Sequence, residues 1–198
     1  MSKIFIEKAR GYAKYHTETV TKITHFVGIP LIVFSLMILC SFIKISVPLY
    51  FEPTSLSWFL MIATVVYYCR LNWKLGFCAA PLLILFNYLA DLIAYSGPTK
   101  GAVEVFFLLF VFGWIAQLAG HFYEKKRPAF LDNFGHVFIA PLFLVAEAFF
   151  YFGMMNDLYM EIYNLSAEEI EKMNQERIKA NTEENFEEKG IGQDDGKA

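Results

Sequence analysis

Between residues 23 and 156 the sequence is nearly without charge. Only 13 of those 134 positions are Asp, Glu, Lys or Arg, against 7 in the first 22 residues and 17 in the last 42. That scarcity excludes a water-facing fold for the middle of the chain, because a soluble domain needs polar faces beside its apolar ones. Cysteine is scarce too. Cys40, Cys69 and Cys78 all lie in apolar stretches, no two at metal-ligand spacing; they read as small hydrophobes and carry no chemistry. An apolar run at the very start is missing: the first 22 residues are mixed in charge and amphipathic, so no cleavable signal peptide is expected. Nor is there an excess of positive charge. The formal net charge is −3, and the last 42 residues hold 12 acids and 5 bases, which gives no footing for nucleic acid. Internal repeats and low-complexity segments are absent.

What is present is apolar length. The chain is 56% hydrophobic and 18% aromatic. A helix that crosses a bilayer needs about 20 mostly apolar residues, and about 17 suffice. Residues 23–43 supply a first span, beginning HFVGIPLIVF, with Pro30 near its start, where a helix tolerates proline best, and Lys44 and Pro48 closing it. A second span runs over 56–69, extendable to Trp73. A third covers 75–95 and includes Asn87 and Asp91. Gly97-Pro98 then breaks the chain. A fourth occupies 105–123, and a possible fifth, 133–156, holds the single charge Glu147. The expected fold class is all-α: a polytopic membrane helical bundle of about four to five hydrophobic spans. An amphipathic N-terminal helix precedes it, and the expected domains are a membrane-embedded 1–156 and an acidic, partly helical or disordered tail, 157–198.

Basic residues orient such a bundle. The N-terminal segment carries Lys3, Lys8, Arg10, Lys14 and Lys22, the loop after the second span Arg70 and Lys74, and the loop after the fourth Lys125, Lys126 and Arg127. The alternate loops carry only Lys44 and Lys100. Ten against two places the N-terminus on the cytoplasmic side. All four histidines of the chain, His16, His25, His121 and His136, then fall on that same side. Convergent imidazoles suggest a metal site for iron, zinc or copper. His25 and His121 stand at span margins, where an unused polar group is costly. His16 also reads as an ordinary surface histidine, and His136, after Gly135, as a backbone-bonding one.

Spacing sharpens the question. His16 and His25 would lie about 13 Å apart on opposite faces of one straight helix, so they share a metal only if the chain bends between them. The threonines at 17, 19, 21 and 24 are modest helix formers that make a break plausible. Gln117, His121 and Glu124 share one helical face. Glu124 suits coordination, an orienting role behind a ligand, or a salt bridge to a neighbouring lysine. Of the other acids near apolar sequence, Asp91 and Glu147 should face a cavity or a partner, and Glu104 should complement a helix dipole.

The segments YHTETVTKITHFVGIPL (15–31), QLAGHFYEKKRPAFLDN (117–133) and APLFLVAE (140–147) resemble the 2-hydroxy fatty acid dioxygenase family, small polytopic membrane proteins, over roughly residues 1–155. The resemblance implies an enzyme that uses Fe(II) and dioxygen to shorten a long-chain 2-hydroxy fatty acid by one carbon, a step of fatty acid α-oxidation. It implies His16, His25 and His121 as iron ligands and matches Glu124 to its central motif, while convergence on the same face adds His136 as a fourth ligand and Glu124 as a catalytic residue behind them. Many members carry glutamine where His136 stands. The implied partners are the 2-hydroxy fatty acid, dioxygen and membrane lipids, with no nucleic acid. The implied setting is a bacterial inner membrane or the endoplasmic reticulum, with the site facing the cytoplasm. The alternative from another class is a non-catalytic membrane transporter or scaffold with structural histidines. A di-iron desaturase would need His-x-x-x-His and His-x-x-His-His clusters, and none occurs.

Overall fold

The computed structural model of the protein describes residues 3–16, 18–46, 53–125, 135–166 and 175. The expected positions Thr17, Pro48, Lys126, Arg127 and most of the acidic tail lie outside the described residues. Among those described, the chain forms α1 (Lys3–Ala13), α2 (Thr19–Ser41), β1 (Lys44–Ile45), β2 (Thr54–Ser55), α3 (Leu56–Leu71), α4 (Trp73–Ile93), α5 (Lys100–Glu124), α6 (Gly135–Tyr151) and α7 (Asn156–Tyr163). The fold is an all-α membrane bundle. Helices α2, α4 and α5 are long and apolar enough to cross a bilayer, and α6 with α7 makes a fourth span if the break between them is counted within it. The stretch expected at 56–69 is helical, but α3 has only 16 residues. At 1.5 Å per residue it reaches about 24 Å, short of a hydrocarbon core about 30 Å thick.

Local chemistry sets several boundaries. No loop separates α3 from α4. The chain pivots on Asn72, whose backbone is extended (φ −153°) and whose side-chain oxygen accepts from the amides of Lys74 and Leu75 at 3.2 and 3.3 Å, satisfying two of the four orphan donors at a helix start. Thr99 caps α5 in the same way, accepting from the Ala102 amide at 3.4 Å. One expectation needs correction. Pro30 is not near a helix start but well inside α2, because that helix begins at Thr19, before the uncharged run. Spanning helices tolerate such a proline where neighbouring helices re-satisfy the freed carbonyl.

Helices α2 and α5 form the centre of the bundle through small residues. A Cβ on Gly113 would stand 2.7 Å from Ile32 Cγ1 and 3.1 Å from the Gly28 carbonyl oxygen. One on Gly120 would collide with Thr24 Oγ1 and come within 3.3 Å of His25 Nδ1. Lipid tails offer no hydrophobic drive to helix association, so close packing of this kind has to supply it. A hydrogen bond from the Thr21 hydroxyl to the Gly120 carbonyl, 3.1 Å, ties the same two surfaces. Further along, Ile38, Ala90 and Phe106 bring α2, α4 and α5 into one core with Phe34 and Phe110 against it.

At the C-terminal end of α2, β1 and β2 pair antiparallel, Lys44 opposite Ser55 and Ile45 opposite Thr54. Asp91 finds its partners here, Lys44 Nζ at 2.8 Å and Trp58 Nε1 at 3.3 Å, while the Ser41 hydroxyl donates to Ser57 at 2.8 Å. Glu104 is exposed and 3.8 Å from Lys100. No acid lies in the first turn of α5, so the helix-dipole role expected of Glu104 is replaced by a weak surface pair. The chain divides into two compact units, Met1–Ala148 and Phe149–Ala198. Within the second, Phe150 packs on Tyr159 at 5.0 Å between ring centres, and Leu158 and Ile162 are buried.

Candidate metal centre

The bend that His16 and His25 require falls between α1 and α2. Helix α1 ends at Ala13, the amides of Tyr15 and His16 turn back onto the carbonyls of Tyr12 and Ala13 at 3.1 Å, and α2 starts at Thr19. His16 is buried, its ring stacked on Tyr12 with centres 3.9 Å apart and planes at 10°. Its Nδ1 donates to the Tyr12 carbonyl at 2.8 Å. His25, in the second turn of α2, repeats the pattern, with Nδ1 donating to the Thr21 carbonyl at 2.8 Å. In both residues a carbonyl four positions earlier takes the Nδ1 proton, which leaves the Nε2 lone pair for something else.

That something else is shared. His25 Nε2 lies 3.2 Å from Nε2 of His121, near the end of α5. The three rings of His16, His25 and His121 pack with centres 4.4, 4.8 and 5.3 Å apart. One ligand atom from each falls within 4.8 Å of the others, and all three residues are buried. Neither His16 Nε2 nor His121 Nδ1 has a hydrogen-bond partner among the described residues. Burial pushes the His16 imidazole down to about 4, against which the Tyr12 carbonyl and the charge of Glu124 act. His16 is therefore neutral at physiological pH. Three buried imidazoles with converging nitrogens fit a divalent first-row metal ion.

The other expected residues separate from this group. His136, the second residue of α6, is buried and borders the same cavity, but it is not a member of the three-histidine cluster. It stands edge-on to Tyr12 with ring centres 6.4 Å apart, its Nε2 3.1 Å from where a Cβ on Gly11 would be. Glu124 is the last residue of α5, half-buried, near enough for its charge to act on His16. Glu147 accepts from Lys22 Nζ at 2.9 Å, linking α2 to α6, and so has the partner that an apolar setting demands.

Sequence reasoning misses Tyr12, Lys22 and Trp114. Tyr12 has a signal, since it precedes His16 by the same four residues that separate Thr21 from His25. Lys22 enters only as a topology marker, and Trp114 has no signal beyond abundance of aromatics. A cavity opens beside the histidines. Its wall on α2 is Ile29, Ile32, Val33 and Leu36, with Val137 and Pro141 on α6. Polar ligands thus stand next to an apolar slot, an arrangement suited to an amphiphile whose head reacts and whose chain is sheltered from water.

Comparison with known proteins agrees. The family model for 2-hydroxy-palmitic acid dioxygenase Mpo1-like proteins matches residues 2–152. The chain is 32% identical over 146 residues to the 2-hydroxy-palmitic acid dioxygenase MPO1 of Saccharomyces cerevisiae, covering 73% of this chain and 79% of the yeast protein. No solved structure matches significantly. The matched region contains α1 to α6 and every histidine, and the chain belongs to the Mpo1-like family.

Proposed function

We propose that this protein is an iron(II)-dependent dioxygenase that shortens long-chain 2-hydroxy fatty acids by one carbon at the cytoplasmic face of a membrane. The observation that carries the reading is the trio His16, His25 and His121, buried and converging beside an apolar cavity, in a chain related to a protein named for 2-hydroxy-palmitic acid. The three imidazoles would hold the ion through nitrogens left free of backbone bonds. Iron bound there would supply the redox chemistry that dioxygen requires.

The rest is the work of the protein. The Tyr12 and Thr21 carbonyls fix the tautomers of His16 and His25 and raise the basicity of each Nε2. Ile29, Ile32, Val33 and Leu36 receive the acyl chain and keep water from the reacting carbon. Glu124 places a negative charge behind the imidazoles, which stabilises a cation among them. His136 borders the cavity outside the three-histidine cluster, so the reading keeps three ligands and leaves His136 in the cavity wall.

The test is purification in mild detergent, anaerobic loading with Fe(II), and measurement of metal content and oxygen-dependent conversion of 2-hydroxyhexadecanoic acid. Stoichiometric iron and a product one carbon shorter are expected. Protein that binds no metal and leaves the acid unchanged would instead favour a transporter or scaffold with structural histidines.

A further inference from the structure

Gln117 takes no part in the three-histidine cluster. It lies one turn before His121 on the same face of α5, only 9% exposed, and it borders the cavity together with the histidines. Its methylenes pack at the α2 backbone, the Cγ being 3.0 Å from where a Cβ on Gly28 would lie. Its carboxamide makes no hydrogen bond to any described group. Methionine or leucine would fill the same space without a polar group that needs a partner. Asn87 is fully buried and unpartnered, in α4, and does not border this cavity. Gln117 is the unpartnered amide that a ligand can reach.

We propose that Gln117 selects the 2-hydroxy acid, its carboxamide binding the hydroxyl and carboxylate of the substrate head. The assignment rests on the proposed function, since it assumes that such a head lies beside the three imidazoles. A carboxamide offers an acceptor oxygen and a donor NH2 side by side. A 2-hydroxy acid presents the complement: a hydroxyl that donates and a carboxylate that accepts. A plain fatty acid lacks the donor, so on binding it leaves the Gln117 carbonyl buried and unpaired. Sites built to hydrogen-bond a substrate hydroxyl reject the analogue lacking it for this reason. An uncharged amide also suits the place better than lysine, whose burial beside a metal ion would be far more costly.

The experiment compares wild-type protein, Gln117→Met and Gln117→Glu, each full-length in detergent and loaded with Fe(II). The affinities for 2-hydroxyhexadecanoic acid and hexadecanoic acid are measured, with iron content, KM and kcat. Methionine conserves length and flexibility and removes the amide. It should keep iron and cut the preference for the hydroxy acid by about 10–100-fold, with affinity for hexadecanoic acid within about 3-fold of wild type. Gln117→Glu keeps the shape but should weaken both acids by repelling the carboxylate. An unchanged preference in Gln117→Met overturns the assignment, as does a wild-type protein that does not distinguish the two acids. A wild type that prefers the hydroxy acid yet does not convert it removes the proposed reaction and leaves the role of Gln117 standing.

Discussion

His25 and His121 meet Nε2 to Nε2 at 3.2 Å across 96 residues of sequence. Such a contact needs a proton between the nitrogens. His25 already donates from Nδ1 to the Thr21 carbonyl, so the shared proton belongs to His121. A metal ion takes the place of that proton, which moves to the unpartnered Nδ1 of His121, so no net proton release is expected and binding should weaken only where falling pH protonates the rings.

Replacing either ring removes a ligand without opening the bundle, because the α2–α5 contact rests on glycines and threonines around the rings. His25→Ala and His121→Ala should each lose iron and oxygen-dependent chain shortening altogether, while circular dichroism and elution volume in detergent stay as in wild type. Iron and turnover retained in both variants would put the site elsewhere.

Glu124 acts from behind the rings. Glu124→Gln keeps its shape and removes its charge, so the expected outcome is retained iron with metal affinity or turnover lowered about 10–100-fold, the usual size of an effect transmitted through a ligand. Complete loss of iron in Glu124→Gln would mean that the carboxylate itself coordinates.

Gly120 is the tightest point beside the site. Gly120→Ala should destabilise the protein by about 1–3 kcal/mol through overpacking and weaken iron binding by displacing the His25 ring. Gly101→Ala makes the control, since nothing lies within 4 Å of its added methyl. Thermal unfolding in detergent separates the two, and equal midpoints would contradict the packing described.

The basic-residue bias gives a topological expectation. In a background without cysteine, Lys100→Cys should react with an impermeant maleimide added outside intact cells, and Lys126→Cys should react only after permeabilisation. Reaction at 126 from outside would reverse the orientation.

Much of the fold is legible in the sequence. The stretches at 75–95 and 105–123 become α4 and α5 because long uncharged runs leave little choice. His25 and His121 are marked by the expense of imidazole in an apolar setting. The place of the bend is less legible. Threonine propensity points to residues 17–24, yet Thr21 and Thr24 are helical, held there by bonds to the carbonyls of Gly120 and Thr21. Those are tertiary and local contacts that propensity does not record. The separation of His136 from the other three is invisible for a related reason. His136 stands edge-on to the Tyr12 ring, which stacks on His16, and such side-chain packing leaves no trace in spacing.

The glycine contacts between α2 and α5 divide the labour among the ligands. His25 and His121 ride on surfaces locked against each other, so their separation is set before any ion arrives. His16 comes from the connection ahead of α2 and is placed by its stack on Tyr12. Two jaws of the site are thus part of the frame, and the third is a latch. In the proposed site, preorganisation would therefore rest mainly on the α2–α5 frame, with the third imidazole held by a single aromatic stack.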